Sequence, residues 1–143
     1  MRANRCGSSH QERPTACARW TRCTSRRSTR QRCCGLDDRD RINAWQATAR
    51  VLQSVDRVLP GRTVKIVPTQ YAMCSQAWEL EVETDGHWSE VLAWGVFTDR
   101  IVSHLGGDPK RHTAIGIGYG LERLAMLRYG IDDIRKLDVA SVA

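Results

Sequence analysis

The chain has 143 residues and carries 22 Lys and Arg against 16 Asp and Glu, a formal charge of +6. That length suits one domain, and no stretch approaches the ~20 apolar residues of a membrane-spanning helix. After Met1 the first aliphatic residue larger than Ala is Leu36, so the start holds no apolar secretory segment; a reducing, cytoplasmic setting without a disulfide framework is expected.

The averages hide two unlike pieces. Residues 1–34 hold nine Arg, no Lys and one acid, Glu12, a balance of +8, while residues 35–143 hold 13 basic and 15 acidic residues, a balance of −2. Five of the six cysteines (Cys6, Cys17, Cys23, Cys33, Cys34) lie in the first piece, which contains no Val, Ile, Leu, Phe or Tyr. Such a segment cannot bury enough apolar surface to offset its chain entropy, so residues 1–40 are expected to be disordered and residues 41–143 to fold. The cysteine spacing lacks the paired C-x(2–4)-C ligands of a zinc module. Arg and Ser richness is shared with transit peptides, but the amphipathic face of such peptides is missing. A basic arm attracts nucleic-acid phosphate without sequence preference. The composition is equally that of a GC-rich gene read out of frame, and a frameshift or mis-set start is favoured over either function.

From Ile42 the pattern changes. Asp40 is placed to cap a helix over 41–59, with Trp45, Ala49, Leu52, Val55 and Leu59 on one apolar face and Arg50 and Arg57 elsewhere. Pro60-Gly61 ends it. A strand over 63–68 follows, then an irregular connection over 69–77. Residues 78–83 alternate strictly, with Trp78, Leu80 and Val82 on one side and three glutamates on the other. Asp85-Gly86 signals a hairpin. The return strand, 87–97, sets Trp88, Glu90, Leu92, Trp94 and Val96 on one face. Glu90 is anomalous there, because an unpaired carboxylate among large apolar side chains is costly. Either its register slips to solvent, or it meets a cation, a metal or a ligand. A short helix over 99–105 ends at Gly106-Gly107, residues 108–112 form a loop, 113–118 a glycine-thinned strand, and 121–128 a helix closed by Tyr129-Gly130.

Gly116, Gly118 and Gly120 alternate along that strand. The spacing is not the G-x-G-x-x-G of a dinucleotide loop. Alternate glycines leave one side of a strand bare, so a flat ligand can lie against backbone, or a helix can pack closely. Glu122 and Arg123 follow at the entrance of a helix, where anions are favoured and a guanidinium can clamp phosphate or stack on a purine.

The stretch Gly118-Tyr-Gly-Leu-Glu-Arg-Leu-Ala-Met-Leu-Arg-Tyr-Gly-Ile-Asp-Asp-Ile-Arg135 resembles motif 3 of class II aminoacyl-tRNA synthetases, and in particular of phenylalanyl-tRNA synthetase alpha subunits. Trp88-Ser-Glu-Val-Leu-Ala-Trp-Gly-Val resembles that family's W-x-E-V-x-G-x-G-[MV] strand, Asp108-Pro109 its following D-P, and Val64-Lys-Ile-Val-Pro68 its V-x-x-R-P strand. The resemblance implies an α+β fold with an antiparallel sheet flanked by helices, part of a class II catalytic domain. It implies ATP-dependent activation of an amino acid or related carboxylate as an adenylate, with transfer to tRNA or another acceptor. By position, Arg123 would contact ATP, Glu90 would hold Mg2+ or ATP, and Gly118, Gly120 and Glu122 would belong to the nucleotide site. Tyr71, Met73, Trp94 and Gly116 would line the substrate pocket. A homo-oligomer or a synthetase-like partner subunit is also implied.

Departures modify those expectations. The family's F-P-F-T-E-P-S pocket segment aligns with Tyr71-Ala-Met-Cys-Ser-Gln-Ala77, so Tyr71 and Met73 replace the two ring-contacting phenylalanines and Ser75 replaces the acid. Gly116 replaces the family's Ala, Ala93 replaces a Gly, and Trp94 intrudes between. A packed pocket discriminates a methyl group by about 1–3 kcal/mol, so these changes together argue against phenylalanine as substrate. Nothing before Asn43 resembles motif 1, which dimerises class II enzymes, or motif 2, whose Arg binds the alpha-phosphate. The chain as written is therefore expected to lack half of an adenylation site. The competing reading is an inactive fragment serving as an RNA-binding or interaction module through its arginine arm. Under that reading, deletion of residues 1–34 abolishes salt-sensitive RNA binding; retained binding refutes it.

Overall fold

The computed structural model describes residues 20–23 and 30–141. One antiparallel sheet organises them. Its strands are β1 (Trp20–Cys23), β2 (Arg30–Asp38), β3 (Val64–Thr69), β4 (Cys74–Thr84), β5 (His87–Phe97) and β6 (His112–Gly120). They lie in the order β1-β2-β6-β5-β4-β3. Helices α1 (Ala44–Val58), α2 (Asp99–His104) and α3 (Leu121–Tyr129) flank it, and a 3-10 segment, Ile134–Ser141, follows. The α+β architecture thus agrees with the sequence reading. None of these helices is long and apolar enough to cross a membrane.

Residues 30–38 overturn one expectation. Composition placed them outside the folded part, yet β2 pairs with β6 along its whole length, from Arg30↔Gly120 to Asp38↔His112. Backbone pairing supplies what aliphatic side chains do not: each strand residue exchanges ladder hydrogen bonds whatever its side chain. Leu36 adds one apolar anchor, since it stands against Gly107 close to Val102 of α2. The rest of the expected disordered segment, residues 1–19 and 24–29, lies outside the described residues.

Helix α1 begins later than Asp40. Asn43 is its cap, in a reciprocal capping box: the Asn43 side chain accepts from Gln46 N–H at 3.0 Å, and Gln46 Oε1 accepts from Asn43 N–H at 3.1 Å. The buried face is also rotated from the expected one. Val55 and Leu59 are buried as expected, but Ala47 and Val51 join them, whereas Trp45 is 82% exposed and Ala49 and Leu52 face solvent. Two apolar stripes compete for the sheet on this helix. The small β-branched one wins because it must fit beneath the large side chains that the strands already contribute.

Those large side chains are Trp78 and Trp94, which stack with centroids 6.0 Å apart and an interplanar angle of 25°. Trp94 is 2% exposed, and its indole N–H donates to Thr48 Oγ1 of α1 at 3.1 Å. Leu80, Val82, Leu92, Ile115 and Ile117 complete the core on this face. Leu124 of α3 joins it, and Arg128 of α3 donates to the carbonyl of Val58 at 3.0 Å, tying the two helices side by side.

The Asp85-Gly86 hairpin forms as expected: Thr84 pairs with His87, and the two turn residues have φ of 50° and 80°. Both angles lie in the left-handed region, as a two-residue primed turn requires. Helix α3 ends at Gly130, φ 66°, whose N–H bonds Met126 O.

The burial pattern predicts unequal costs for two tryptophans. Trp94→Ala removes a buried ring and its hydrogen bond to Thr48, and is expected to destabilise by about 3–5 kcal/mol. Trp45→Ala is expected to stay within about 0.5 kcal/mol of the parent. Urea denaturation followed by circular dichroism distinguishes them; equal losses would contradict the orientation of α1.

Candidate active site

Helix α1 covers only one side of the sheet. Residues paired across antiparallel strands share a face, so the register lists the occupants of the other side. One row across it runs Cys34, Gly116, Gly95, Ala77 and Thr69; the next runs Arg32, Gly118, Ala93, Glu79 and Val67. Leu36 and Ala114 lie one pair beyond, where α2 sits. This face therefore has a short helix at one end and a floor of small residues in its centre.

Glu90 reaches this face through a β-bulge. Leu80 pairs with Leu92 but the next residue, Glu81, pairs with Glu90, so Val91 is the extra residue. The shift reverses the alternation beyond it. Glu90 and Trp88 join Glu81 and Glu83, away from Trp94, and Ser89 takes the core side opposite Val82. Of the alternatives left open by the sequence, the register slip is realised, and a cation meets the residue as well. Arg123 Nη1 donates to the Glu90 carbonyl at 2.7 Å and lies 3.5 Å from Glu90 Oε2. Both side chains remain partly open to solvent, at 50% and 37% exposure.

The three glycines differ in what lies above them. A Cβ built at Gly118 would meet only the Ala93 carbonyl, at 3.9 Å, so this part of the floor is open. At Gly120 the Val91 carbonyl, displaced by the bulge, would stand 3.0 Å away. At Gly116 a Cβ would collide with Cζ of Phe97. Gly95, on the neighbouring strand, lies beneath Cys74 Sγ and the Gln76 carbonyl, 2.8 and 2.7 Å from a built Cβ. Burial pushes the Cys74 thiol pKa up, so the group stays protonated at neutral pH.

The expected site residues are thus brought together only in part. Arg123, Glu90, Gly118 and Gly120 converge. Glu122 is half-buried in the first turn of α3, where a carboxylate complements the helix dipole. Trp94 is corrected: its ring belongs to the α1 side of the sheet, because Trp94 pairs with Trp78 and Ile117 and all three point into the core. Tyr71 lies at a cleft of about 490 Å3 lined by Thr69, Gln70, Tyr71, Ala72 and residues 74–77. Its hydroxyl donates to Glu79 Oε1 at 2.6 Å. Met73 is 54% exposed and is not among that lining. Sequence reasoning missed Arg32, which the register sets opposite Gly118. Only the ladder pairing of β2 reveals it, since its surroundings in sequence carry no apolar period.

On the electrostatic side, Arg32 is paired with Gly118 on β2, Arg123 is bonded to Glu90 of β5, and Glu79 and Glu81 share this face on β4. Glu81 is held by Lys65 at 2.8 Å, and Lys65 also lies 4.4 Å from the centroid of the Trp88 ring. No group of three or more His, Cys, Asp or Glu able to hold a metal occurs among the described residues. Glu90 is paired across the ladder with Glu81, on the same face of the sheet.

Unequal space above the glycines predicts unequal tolerance. Gly95→Ala is expected to destabilise by about 1–3 kcal/mol through overpacking, whereas Gly118→Ala stays within about 1 kcal/mol of the parent. Thermal unfolding of the two variants checks this; equal losses would show that the floor at Gly118 is covered.

Comparison with known proteins agrees with this geometry. The class II core domain (F) of tRNA synthetases matches residues 46–142. The phenylalanine–tRNA ligase alpha subunit of Prochlorococcus marinus (strain NATL2A) is 41% identical over 59 residues, covering 41% of this chain and 18% of that protein. The alpha subunit from Thermotoga petrophila is 35% identical over 77 residues, covering 53% of this chain and 24% of its own length. That from Hydrogenovibrio crunogenus is 34% identical over 77 residues, 51% of this chain and 23% of the relative. The chain thus spans less than a quarter of these curated relatives. With the family match extending over more than half of the chain, and its strands and α3 carrying the glycine floor and Arg123, the protein belongs to the class II tRNA synthetase core domain family.

Proposed function

We propose that the uncovered sheet face is the nucleotide end of an adenylate-forming site. The reaction is ATP-dependent activation of an amino acid or related carboxylate, with transfer of the acyl group to tRNA or another acceptor. The observation that carries this reading is the open floor at Gly118, with Arg32 paired to it on β2 and Arg123 held at Glu90 on β5. A flat purine or ribose can rest on bare backbone there, and guanidinium groups on the same face suit the neutralisation of a polyphosphate.

ATP would supply the phosphoanhydride that the acid's carboxylate displaces. The protein's own part is positioning and charge stabilisation. The Glu90 carbonyl fixes one Nη of Arg123, leaving the rest of the guanidinium directed by that anchor. The Glu90 carboxylate, with Arg123 drawn toward phosphate, is the candidate Mg2+ ligand of the site. The relatives are named as alpha subunits, and because the chain spans so little of them, a partner subunit and the tRNA acceptor are parts of the same proposal.

The test is ATP binding to the full 143-residue chain, followed by fluorescence of a labelled analogue. Arg123→Ala is expected to weaken binding roughly tenfold, about 1.4 kcal/mol. Its own stability should change by about 1 kcal/mol or less, because the hydrogen bond and ion pair it loses at Glu90 are both solvent-exposed. Unchanged ATP affinity in the variant would remove Arg123 from the site. ATP–pyrophosphate exchange with a panel of amino acids, in the presence of a partner subunit, then reads the acid activated; no exchange with any of them would overturn the activation proposal.

A further inference from the structure

Charge is not spread evenly over the uncovered face. One row of the ladder runs from Arg32 on β2 through Gly118 and Ala93 to Glu79 on β4. A cation stands at one end of the row and a carboxylate at the other, with only a glycine and an alanine between them. Strands lie about 4.8 Å apart, which sets the two charged positions roughly 14 Å from one another at their backbones. A small ligand charged at both ends can bridge that span.

Glu79 differs from the other glutamates of this face. Glu81 is held by Lys65 at 2.8 Å, Glu90 meets Arg123, and Glu83 accepts the Gly86 N–H. Glu79 Oε1 accepts from the Tyr71 hydroxyl at 2.6 Å, and among the described residues Glu79 forms no ion pair. A phenol is a neutral donor, so it fixes one carboxylate oxygen and leaves the negative charge uncompensated.

The same tyrosine belongs to the cleft of about 490 Å3, and none of the residues lining that cleft is charged. Ala77 lines it as well and is paired with Gly95 of the floor, so cleft and floor adjoin along β4. An aromatic ring beside an uncompensated carboxylate is a setting for a cation, because the ring face and the carboxylate oxygens both attract positive charge.

We propose that Glu79 and Tyr71 receive a cationic group of the ligand, so that the acid activated on this face is an amino acid with a positively charged side chain. This rests on the face being an adenylating site. Glu79 is then a specificity-determining residue that supplies the charge, and Tyr71 holds its carboxylate beside the cleft. An uncharged side chain of the same length would cover the carboxylate without giving it a partner, and is disfavoured for that reason.

The experiment titrates the 143-residue chain with L-lysine, with L-norleucine, which has the same straight chain without the terminal ammonium, and with L-glutamine, all in the presence of ATP. In the parent, lysine is expected to bind roughly tenfold or more tighter than norleucine. In Glu79→Gln the two affinities are expected to converge. Equal affinities in the parent would overturn the inference, as would a lysine preference that survives Glu79→Gln undiminished. Tighter binding of glutamine than of lysine would overturn it too, because the pair would then be reading a neutral donor. Tyr71→Phe keeps the ring and the carboxylate but frees the latter, and is expected to lower the lysine preference severalfold without abolishing it; an unchanged preference would remove Tyr71 from the assignment. A labelled ATP analogue in the same samples separates the two levels. If ATP binds and lysine is not preferred, the cation assignment fails alone. If lysine is preferred through Glu79 and no ATP binds, the adenylating reading fails and the cation subsite stands. Should Glu79→Gln not fold, Glu79→Asp, which draws the carboxylate back by one methylene, is read in its place: a reduced lysine preference supports the assignment, and one equal to the parent's overturns it.

Discussion

The site depends on a single extra residue in one strand. Val91 bulges from β5, and three consequences follow from that one insertion. Glu90 turns from the core to the uncovered face. Its carbonyl is brought to Arg123, joining α3 to the sheet. The Val91 carbonyl moves over Gly120, where only a residue without Cβ fits comfortably. A regular strand would instead bury the Glu90 carboxylate beside Trp94, at the cost of desolvating an unpaired charge. The bulge thus reconciles a packed core with a charged site on the same eleven residues of β5.

The two sides of the sheet divide the remaining work. One side carries the Trp78–Trp94 stack, the aliphatic side chains of β4, β5 and β6, and the covering helices α1 and α3. The other is thinned to glycine and alanine at its centre and charged at its margins. Because alternate residues serve opposite sides, a bare floor can be built without weakening the core beneath it. The glycines do cost strand stability, which the antiparallel ladders on both sides of β6 offset.

Much of this was legible in the sequence wherever period and chemistry agreed. Trp78, Leu80 and Val82 alternate with glutamates, and they are the core side of β4. Asp85-Gly86 has one favourable geometry and adopts it. The run from Gly118 to Arg135 carried the family, and with it Arg123. The failures have physical causes. Trp45, Ala49 and Leu52 form an apolar stripe as regular as the buried one, and only the shape of the sheet beneath chooses between them. Asn43 outcompetes Asp40 because Gln46 completes its capping box. β2 has almost no apolar content, so its pairing is visible only from its partner. Trp94 was assigned to a pocket by analogy of position, whereas parity with Trp78 puts it in the core. The occupied hollow over Gly116 was hidden, since nothing in the local sequence says where the Phe97 ring points.

The order of strands also constrains how the chain comes together as it is made. β4 and β5 are joined by a two-residue turn and can pair as soon as they leave the ribosome. β2 is synthesised before either, yet its ladder partner is β6, with Arg30 matched to Gly120. It must therefore wait through the synthesis of three strands and two helices with one edge unsatisfied. Pairings this distant in sequence slow folding and prolong exposure of an edge that can recruit other chains.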